Sequence, residues 1–186
     1  MPGTRTGRIL GAVACVAALA IPAGAARAEQ ATPGTRAPDF ELSDLGRRVV
    51  RLSDLAYPGP ERPGHPRHVV LLDFFRSDCP PCRGKLPLVV EMHQRMKARG
   101  LATLLIGVGV EGEAGFQAQL AAWMDLHPVP FPVLVDGHGG VARDYITRGR
   151  EQRLGLMVLV DRNGVVRAVS DDAATIERAA DALTQP

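Results

Sequence analysis

Apolar positions along the chain change their period from one segment to the next. Phe40-Glu41-Leu42 and Val49-Val50-Arg51-Leu52 flank the turn signal Asp44-Leu45-Gly46, which predicts a β-hairpin. Ser53-Asp54-Leu55 predicts a short turn capped by Ser53, and Tyr57 to Pro66 a loop rich in proline and glycine. Val69 to Phe75 is a nearly continuous apolar run, as a buried central strand requires. From Pro81 to Arg99 the period lengthens: Leu86, Val89, Val90, Met92, His93 and Met96 fall near one helical face, with Gly100 as the stop. Pro87 inside that helix predicts a kink. Leu101 to Val110 predicts a second buried strand, and Glu113 to Leu126 a helix with Phe116, Leu120, Trp123 and Met124 inward. Pro128, Pro130 and Pro132 punctuate a loop before the short strand Val133-Leu134-Val135 and the short helix Gly140 to Ile146. Leu156 to Val160 and Val165 to Val169 flank Asp161-Arg162-Asn163-Gly164 as a second hairpin. Asp171 or Asp172 caps a last helix that ends near Leu183.

Strands alternating with helices imply parallel crossovers, and the closing hairpin adds antiparallel edges. The expectation is a single α/β domain, a three-layer α/β/α sandwich around a mixed sheet with the first hairpin as an N-terminal extension.

The first 28 residues carry an address rather than a fold. Arg5 and Arg8 precede the alanine-rich apolar stretch Ile9 to Ile21, and Ala26-Arg27-Ala28 has the form of a cleavage site. Residues 1–28 are therefore expected to be a signal peptide, residues 29–36 a linker and residues 37–186 the domain. A retained membrane anchor and a lipid-modified Cys15 are the alternatives. Cleavage removes three of the 22 basic residues and none of the 20 acidic ones, leaving 19 against 20 and a net charge of −1. That balance points to neither nucleic acid nor a membrane surface, so membrane contact is expected only if the N-terminal segment is retained. The expected location is the periplasm or another exported compartment.

Of the three cysteines, cleavage leaves Cys79 and Cys82. Two closely spaced cysteines in an oxidising compartment are not a staple framework. In Phe74-Phe75-Arg76-Ser77-Asp78-Cys79-Pro80-Pro81-Cys82-Arg83 a strand delivers them to a helix start, where unpaired N–H groups and the helix dipole stabilise a thiolate. That context is redox-active. The competing reading, half of a zinc site, needs a second ligand pair, and His65, His68, His93, His127 and His138 show no paired ligand spacing.

The chain resembles the TlpA/ResA-like branch of the thioredoxin superfamily, itself close to the AhpC/TSA redoxins. The resemblance rests on Ala37-Pro38-Asp39-Phe40-Glu41-Leu42, Leu52-Ser53-Asp54-Leu55, Cys79-Pro80-Pro81-Cys82-Arg83 with Leu86-Pro87, Phe131-Pro132-Val133-Leu134-Val135-Asp136, and Val158-Leu159-Val160-Asp161-Arg162-Asn163-Gly164. It implies a thioredoxin-like fold and an exported or membrane-tethered thiol–disulfide oxidoreductase. The implied partners are protein disulfide substrates, apocytochromes awaiting haem among them, and a thiol electron donor. No cofactor is expected.

Three departures from the family matter. Asp78 replaces the usual Trp before the first cysteine; it either caps the helix or opposes the thiolate that Arg76, Arg83 and Lys85 favour. Asp73 stands six positions before Cys79, as a buried Asp does in thioredoxin; a raised pKa would make it the proton acceptor for Cys82, against a purely structural role. The family's cis-proline loop is here Arg153-Leu154-Gly155, without proline, ahead of the strand from Leu156. A trans peptide is expected before Gly155, and the preceding polar segment Arg148-Gly149-Arg150-Glu151-Gln152-Arg153 is expected to be a mobile surface loop.

The leading function is disulfide reduction or exchange through a dithiol, Cys79 attacking and Cys82 resolving, with Asp78, Pro80, Pro81, Gly155 and Leu156 around the substrate groove. Cys79 and Cys82 binding a soft ion, completed by a histidine such as His138, is an alternative of another class. A maturation factor for one exported enzyme is a specialised form of the first. A peroxidase fits less well, because Arg76 stands where the peroxiredoxin pattern has Thr.

Overall fold

The computed structural model describes Gly3 and residues 31–110, 113–149 and 151–185. The signal-peptide, anchor and Cys15 expectations, and the first linker residues, lie outside the described residues.

Strands β1 (Glu41–Ser43) and β2 (Val49–Arg51) form the expected N-terminal hairpin, with Leu42 opposite Val50. Helix α1 (Leu52–Leu55) follows at once. Ser53 does not cap it; the Ser53 N–H instead donates to Asp39 Oδ1 at 2.9 Å, so the start of this turn is tied to the preceding chain. Strand β3 (Val69–Phe75) is buried at every position, as its unbroken apolar run requires.

Helix α2 (Pro80–Met96) continues through the 3-10 turn Lys97–Arg99 and stops at Gly100, whose φ of 92° suits glycine. Pro87 lies inside the helix. Strand β4 (Leu101–Val108) ends two residues earlier than expected, where the Gly109 N–H turns to the Asp136 carbonyl at 2.9 Å. Helix α3 (Phe116–Leu126) begins three residues later than expected. The Glu113 side chain is drawn to Arg76 and to the Val110 N–H, and Gly115, with φ 79°, makes the entry.

The second half keeps the expected order β5 (Val133–Asp136), α4 (Gly140–Ile146), β8 (Met157–Val160), β9 (Val166–Ser170) and α5 (Ala173–Thr184), with two unexpected short strands, β6 (Thr147–Arg148) and β7 (Glu151–Gln152), between α4 and β8. Asp172 caps α5, accepting from the Ala174 and Thr175 N–H groups. The segment expected to be a mobile loop holds the small antiparallel ribbon β6–β7, with Thr147 opposite Gln152. Residues 31–36, expected to be linker, are docked rather than loose. The Gly34 N–H donates to the Val166 carbonyl, the Val166 N–H to the Thr35 carbonyl, and Ala31 is buried.

The central sheet has five strands in the order β5-β4-β3-β8-β9. β3 pairs parallel with β4 and antiparallel with β8, so the sheet is mixed as expected. Two apolar cores cover its faces: one packs the N-terminal hairpin, α1 and α4 against it, the other α2, α3 and α5. This is the three-layer α/β/α sandwich. Strand β3 is central and sends alternate side chains to the two faces, so a residue at its C-terminal end can reach beneath the start of α2. Among the described residues no helix is long and apolar enough to cross a membrane.

Candidate active site

Cys79 and Cys82 are joined by a disulfide at the N-terminus of α2, with their Cα atoms 5.3 Å apart. Cys79 is the helix N-cap: its Sγ accepts the Cys82 N–H at 3.3 Å. This bond and the prolines at the first helical positions prepare the site for negative charge on Cys79. The two sulfurs differ in access. Cys79 is half-buried at the surface, whereas Cys82 is fully buried, its Sγ 4.0 Å from the Phe74 carbonyl oxygen.

Asp78, expected as the helix cap, does not cap it. Arg76 takes both its carboxylate oxygens, Nε to Oδ1 and Nη2 to Oδ2, each at 2.9 Å. The same guanidinium holds Glu113 at 2.9 and 3.1 Å. Hydrogen bonds from Arg76 therefore hold the Asp78 and Glu113 carboxyls below the usual carboxylate range. Arg76 thus pairs the Asp78 carboxylate, although, with Glu113 on the same guanidinium, the three groups together carry one negative charge.

Asp73 lies at the C-terminal end of β3, 1% exposed. Burial pushes its carboxyl up to about 6, with the Lys85 ammonium pulling the other way. Lys85 Nζ is 2.9 Å from Asp73 Oδ1. The same ammonium also donates to the Gly155 carbonyl. Burial of Lys85 was not foreseen in the sequence. The signal was present: Cys82, Lys85, Leu86 and Val89 share one helical face, the one turned to the sheet.

Gly155 faces the buried sulfur. A Cβ placed on it would lie 3.7 Å from Cys82 Sγ. All described peptide bonds are trans, as expected for a loop without proline. The loop is not loose. The Gly155 N–H donates to the Phe74 carbonyl at 3.1 Å, the Phe74 N–H to the Leu156 carbonyl at 3.2 Å, and Lys85 holds the Gly155 carbonyl. Gly155 has φ 82°, a conformation that a proline could not adopt.

The five residues expected around the groove therefore separate. Asp78, Pro80 and Pro81 are exposed beside Cys79, whereas Gly155 and Leu156 are buried behind the disulfide with their backbone groups engaged. An open groove of about 650 Å³ that the sequence did not reveal begins one residue beyond Cys82. It runs between Arg83, Leu86 and Pro87 of α2 and Trp123, His127 and Pro128. The Trp123 and His127 rings stack at 3.9 Å.

The donor set does not favour a metal ion. Among the described residues no group of three or more His, Cys, Asp and Glu side chains converges. His138 lines a different cavity, with Asp39, Glu41 and Asp144. The Lys85 ammonium, which like the buried sulfur lies within 4 Å of the place a Cβ would take on Gly155, would also repel a cation.

Comparison with known proteins agrees with this geometry. The AhpC/TSA family model matches residues 33–169. The thiol-disulfide oxidoreductase ResA of Geobacillus kaustophilus is 27% identical over 144 residues, covering 77% of this chain and 72% of the relative. A candidate thiol:disulfide interchange protein DsbE from Chlorobium tepidum, known from its crystal structure, superposes with a TM-score of 0.66 at 27% identity, covering 84% of this chain and 100% of that one. A Bacteroides thetaiotaomicron solution structure at 21% identity shares the fold, with a TM-score of 0.65 over 83% of this chain and 92% of that one. With its thioredoxin-like sandwich and a Cys-Pro-Pro-Cys disulfide at the mouth of α2, the chain belongs to the AhpC/TSA family, in the company of ResA-like redoxins.

Proposed function

We propose that this thiol–disulfide oxidoreductase reduces or exchanges disulfides of exported partner proteins, with Cys79 attacking and Cys82 resolving. The observation that carries the assignment of roles is the unequal access of the two sulfurs, one at the surface and one fully buried.

Starting from the dithiol, the Cys79 thiolate attacks a partner disulfide. One Cys79–partner S–S bond forms, the partner S–S bond breaks, and the departing thiolate takes a proton from water. The Cys82 thiol then gives its proton to the Asp73 carboxylate, whose affinity for it is raised by burial. The Cys82 thiolate attacks Cys79 Sγ, the Cys79–Cys82 bond forms, and the second partner thiolate leaves and is protonated. Two electrons pass from the dithiol to the partner. A donor dithiol must return them, its own sulfurs becoming a disulfide.

Several features support a protein as the substrate. The groove runs along the face of α2 that starts at Cys79, since positions 79, 83 and 87 are spaced four apart. Its walls are mostly apolar, which suits a polypeptide flanking a disulfide. Leu154, half-buried before Gly155, has no backbone hydrogen-bond partner among the described residues and is free to pair with an extended chain. Apocytochromes are one partner class within this reading, and the periplasm the compartment it suits.

The test is steady-state reduction of a protein disulfide by the reduced chain with a dithiol donor. Wild type should turn over, Cys79→Ser should not, and turnover unaffected by Cys79→Ser would remove the reading.

A further inference from the structure

The surface around the attacking sulfur carries opposite charges on its two sides. Asp78 immediately precedes Cys79, and its side chain is 67% exposed. Arg83 lies one helical turn after Cys79, its N–H bonded to the Cys79 carbonyl at 3.1 Å, and it is exposed too. Pro80 and Pro81, exposed between them, bring no charge. Cys79 therefore sits between an acid and a cation, and the apolar groove begins at the cation.

The acidic side is fixed in place. Nε and Nη2 of Arg76 hold the two Asp78 oxygens at 2.9 Å, while Nη1 reaches the Val108 carbonyl and Glu113. One guanidinium faces two carboxylates, so the cluster keeps one negative charge, and of its members Asp78 alone is mostly in water. Hydrogen bonds from Arg76 keep the Asp78 carboxyl ionised through the neutral range, and the nearby charge of Arg83 acts in the same direction. Beneath the disulfide Lys85 and Asp73 are buried against each other, out of a partner's reach. A unit charge about 6 Å from another at a wet surface changes a reaction rate about three- to tenfold.

We propose that Asp78 and Arg83 select the partner disulfide by charge, so that the partners attacked fastest present a cationic group beside Asp78 and an anionic one beside Arg83. The inference rests on the exchange reading above and deepens it by naming the chemistry around the partner's sulfurs. The covalent step is unchanged: the Cys79 thiolate bonds to one partner sulfur, the partner S–S bond breaks, and its other sulfur leaves as a thiolate. The two charges set how often, and which way round, the partner's disulfide arrives.

The experiment uses three symmetric disulfides of similar size, cystamine, hydroxyethyl disulfide and dithiodipropionate, which end in an ammonium, a hydroxyl and a carboxylate. The reduced protein is mixed with each in excess, quenched in acid at intervals, and the loss of free thiol gives a second-order rate. The ratio of the cystamine rate to the dithiodipropionate rate cancels any change in the Cys79 thiolate itself. Asp78→Asn should lower that ratio about three- to tenfold, and Arg83→Gln should raise it by a similar factor. Both shifts should shrink in about 0.5 M salt. A ratio that Asp78→Asn leaves unchanged, or that Arg83→Gln fails to raise, overturns the proposal. Hydroxyethyl disulfide carries no charge and reports the attack alone, so its failure to oxidise the reduced wild type counts against the exchange reading instead.

Discussion

Two charge clusters bracket the disulfide, and the same side-chain chemistry behaves oppositely in them. On the outer side Arg76 grips Asp78 and Glu113 through four hydrogen bonds between 2.9 and 3.1 Å. Both carboxyls are pulled down and the guanidinium is held more firmly protonated. On the inner side Lys85 comes equally close to Asp73, yet the Asp73 carboxyl is pushed up to about 6. Distance does not separate the two cases. Solvation does: Asp78 is mostly exposed and receives paired bonds from Arg76, whereas Asp73 is dry, and the cost of burying its charge outweighs the pull of Lys85. The outer cluster is a clamp that ties the strand end before Cys79 to the loop before α3. The inner one is, in the proposed exchange, the proton acceptor for Cys82.

Substitutions should break the two differently. The largest effect on the inner side is expected from Gly155→Pro. The φ of 82° and the bond from the Gly155 N–H to Phe74 both exclude proline, so stability should fall by roughly 3 kcal/mol or more. Chemical denaturation checks this, and Gly155→Ala should cost less, because its Cβ meets the neighbouring atoms no closer than 3.7 Å.

Next is Asp73→Asn. It should slow resolution of the mixed disulfide by about a hundredfold while leaving the first attack nearly unchanged. Stopped-flow measurement of the two phases separates them. The same substitution has a pH signature. The Asp73 carboxyl is raised from 3.8 to about 6, so the cost of burying it ionised is fully present above pH 6 and disappears as pH falls toward 4. The stability of wild type relative to Asp73→Asn should therefore rise as pH is lowered through that window, measured by thermal melts.

Arg76→Met should do less, about 1–2 kcal/mol in stability and a few-fold in exchange rate, since Asp78 stays mostly in water even though Arg76 and Glu113 are largely covered. The smallest expected effect discriminates most simply. Added salt should weaken the outer clamp and leave the Asp73 pH window in place, because water and ions reach the first and not the second.

The difference between the clusters also explains what the sequence revealed. Val69 to Phe75 announced a buried strand because every position is apolar except Asp73, and the one exception was conspicuous. The Cys-Pro-Pro-Cys stretch announced its chemistry through spacing and a helix start. Lys85 did not, because a lysine on a largely polar helix surface looks solvated until the packing of α2 on β3 shows which side it occupies. Asp78 suggested a cap because acids favour helix starts; Arg76, two residues away, outbids the backbone with a paired ionic bond, and Cys79 takes the cap position. The apolar period of Phe116, Leu120, Trp123 and Met124 extends the helix back to Glu113 in sequence, while a tertiary contact with Arg76, 37 residues earlier in the chain, holds Glu113 outside it. The fold was legible from local periods. The electrostatics of the site depends on residues distant in sequence and on water, which no local pattern carries.

The division of labour between the two sulfurs is tested most directly by trapping. Reduced Cys82→Ser, mixed with a protein disulfide and quenched with acid, should accumulate a mixed disulfide that peptide mapping places on Cys79. Under the same conditions Cys79→Ser should accumulate almost none, because its remaining thiol is buried. A stable adduct on Cys82 in Cys79→Ser, formed as fast as the one on Cys79, would contradict the account.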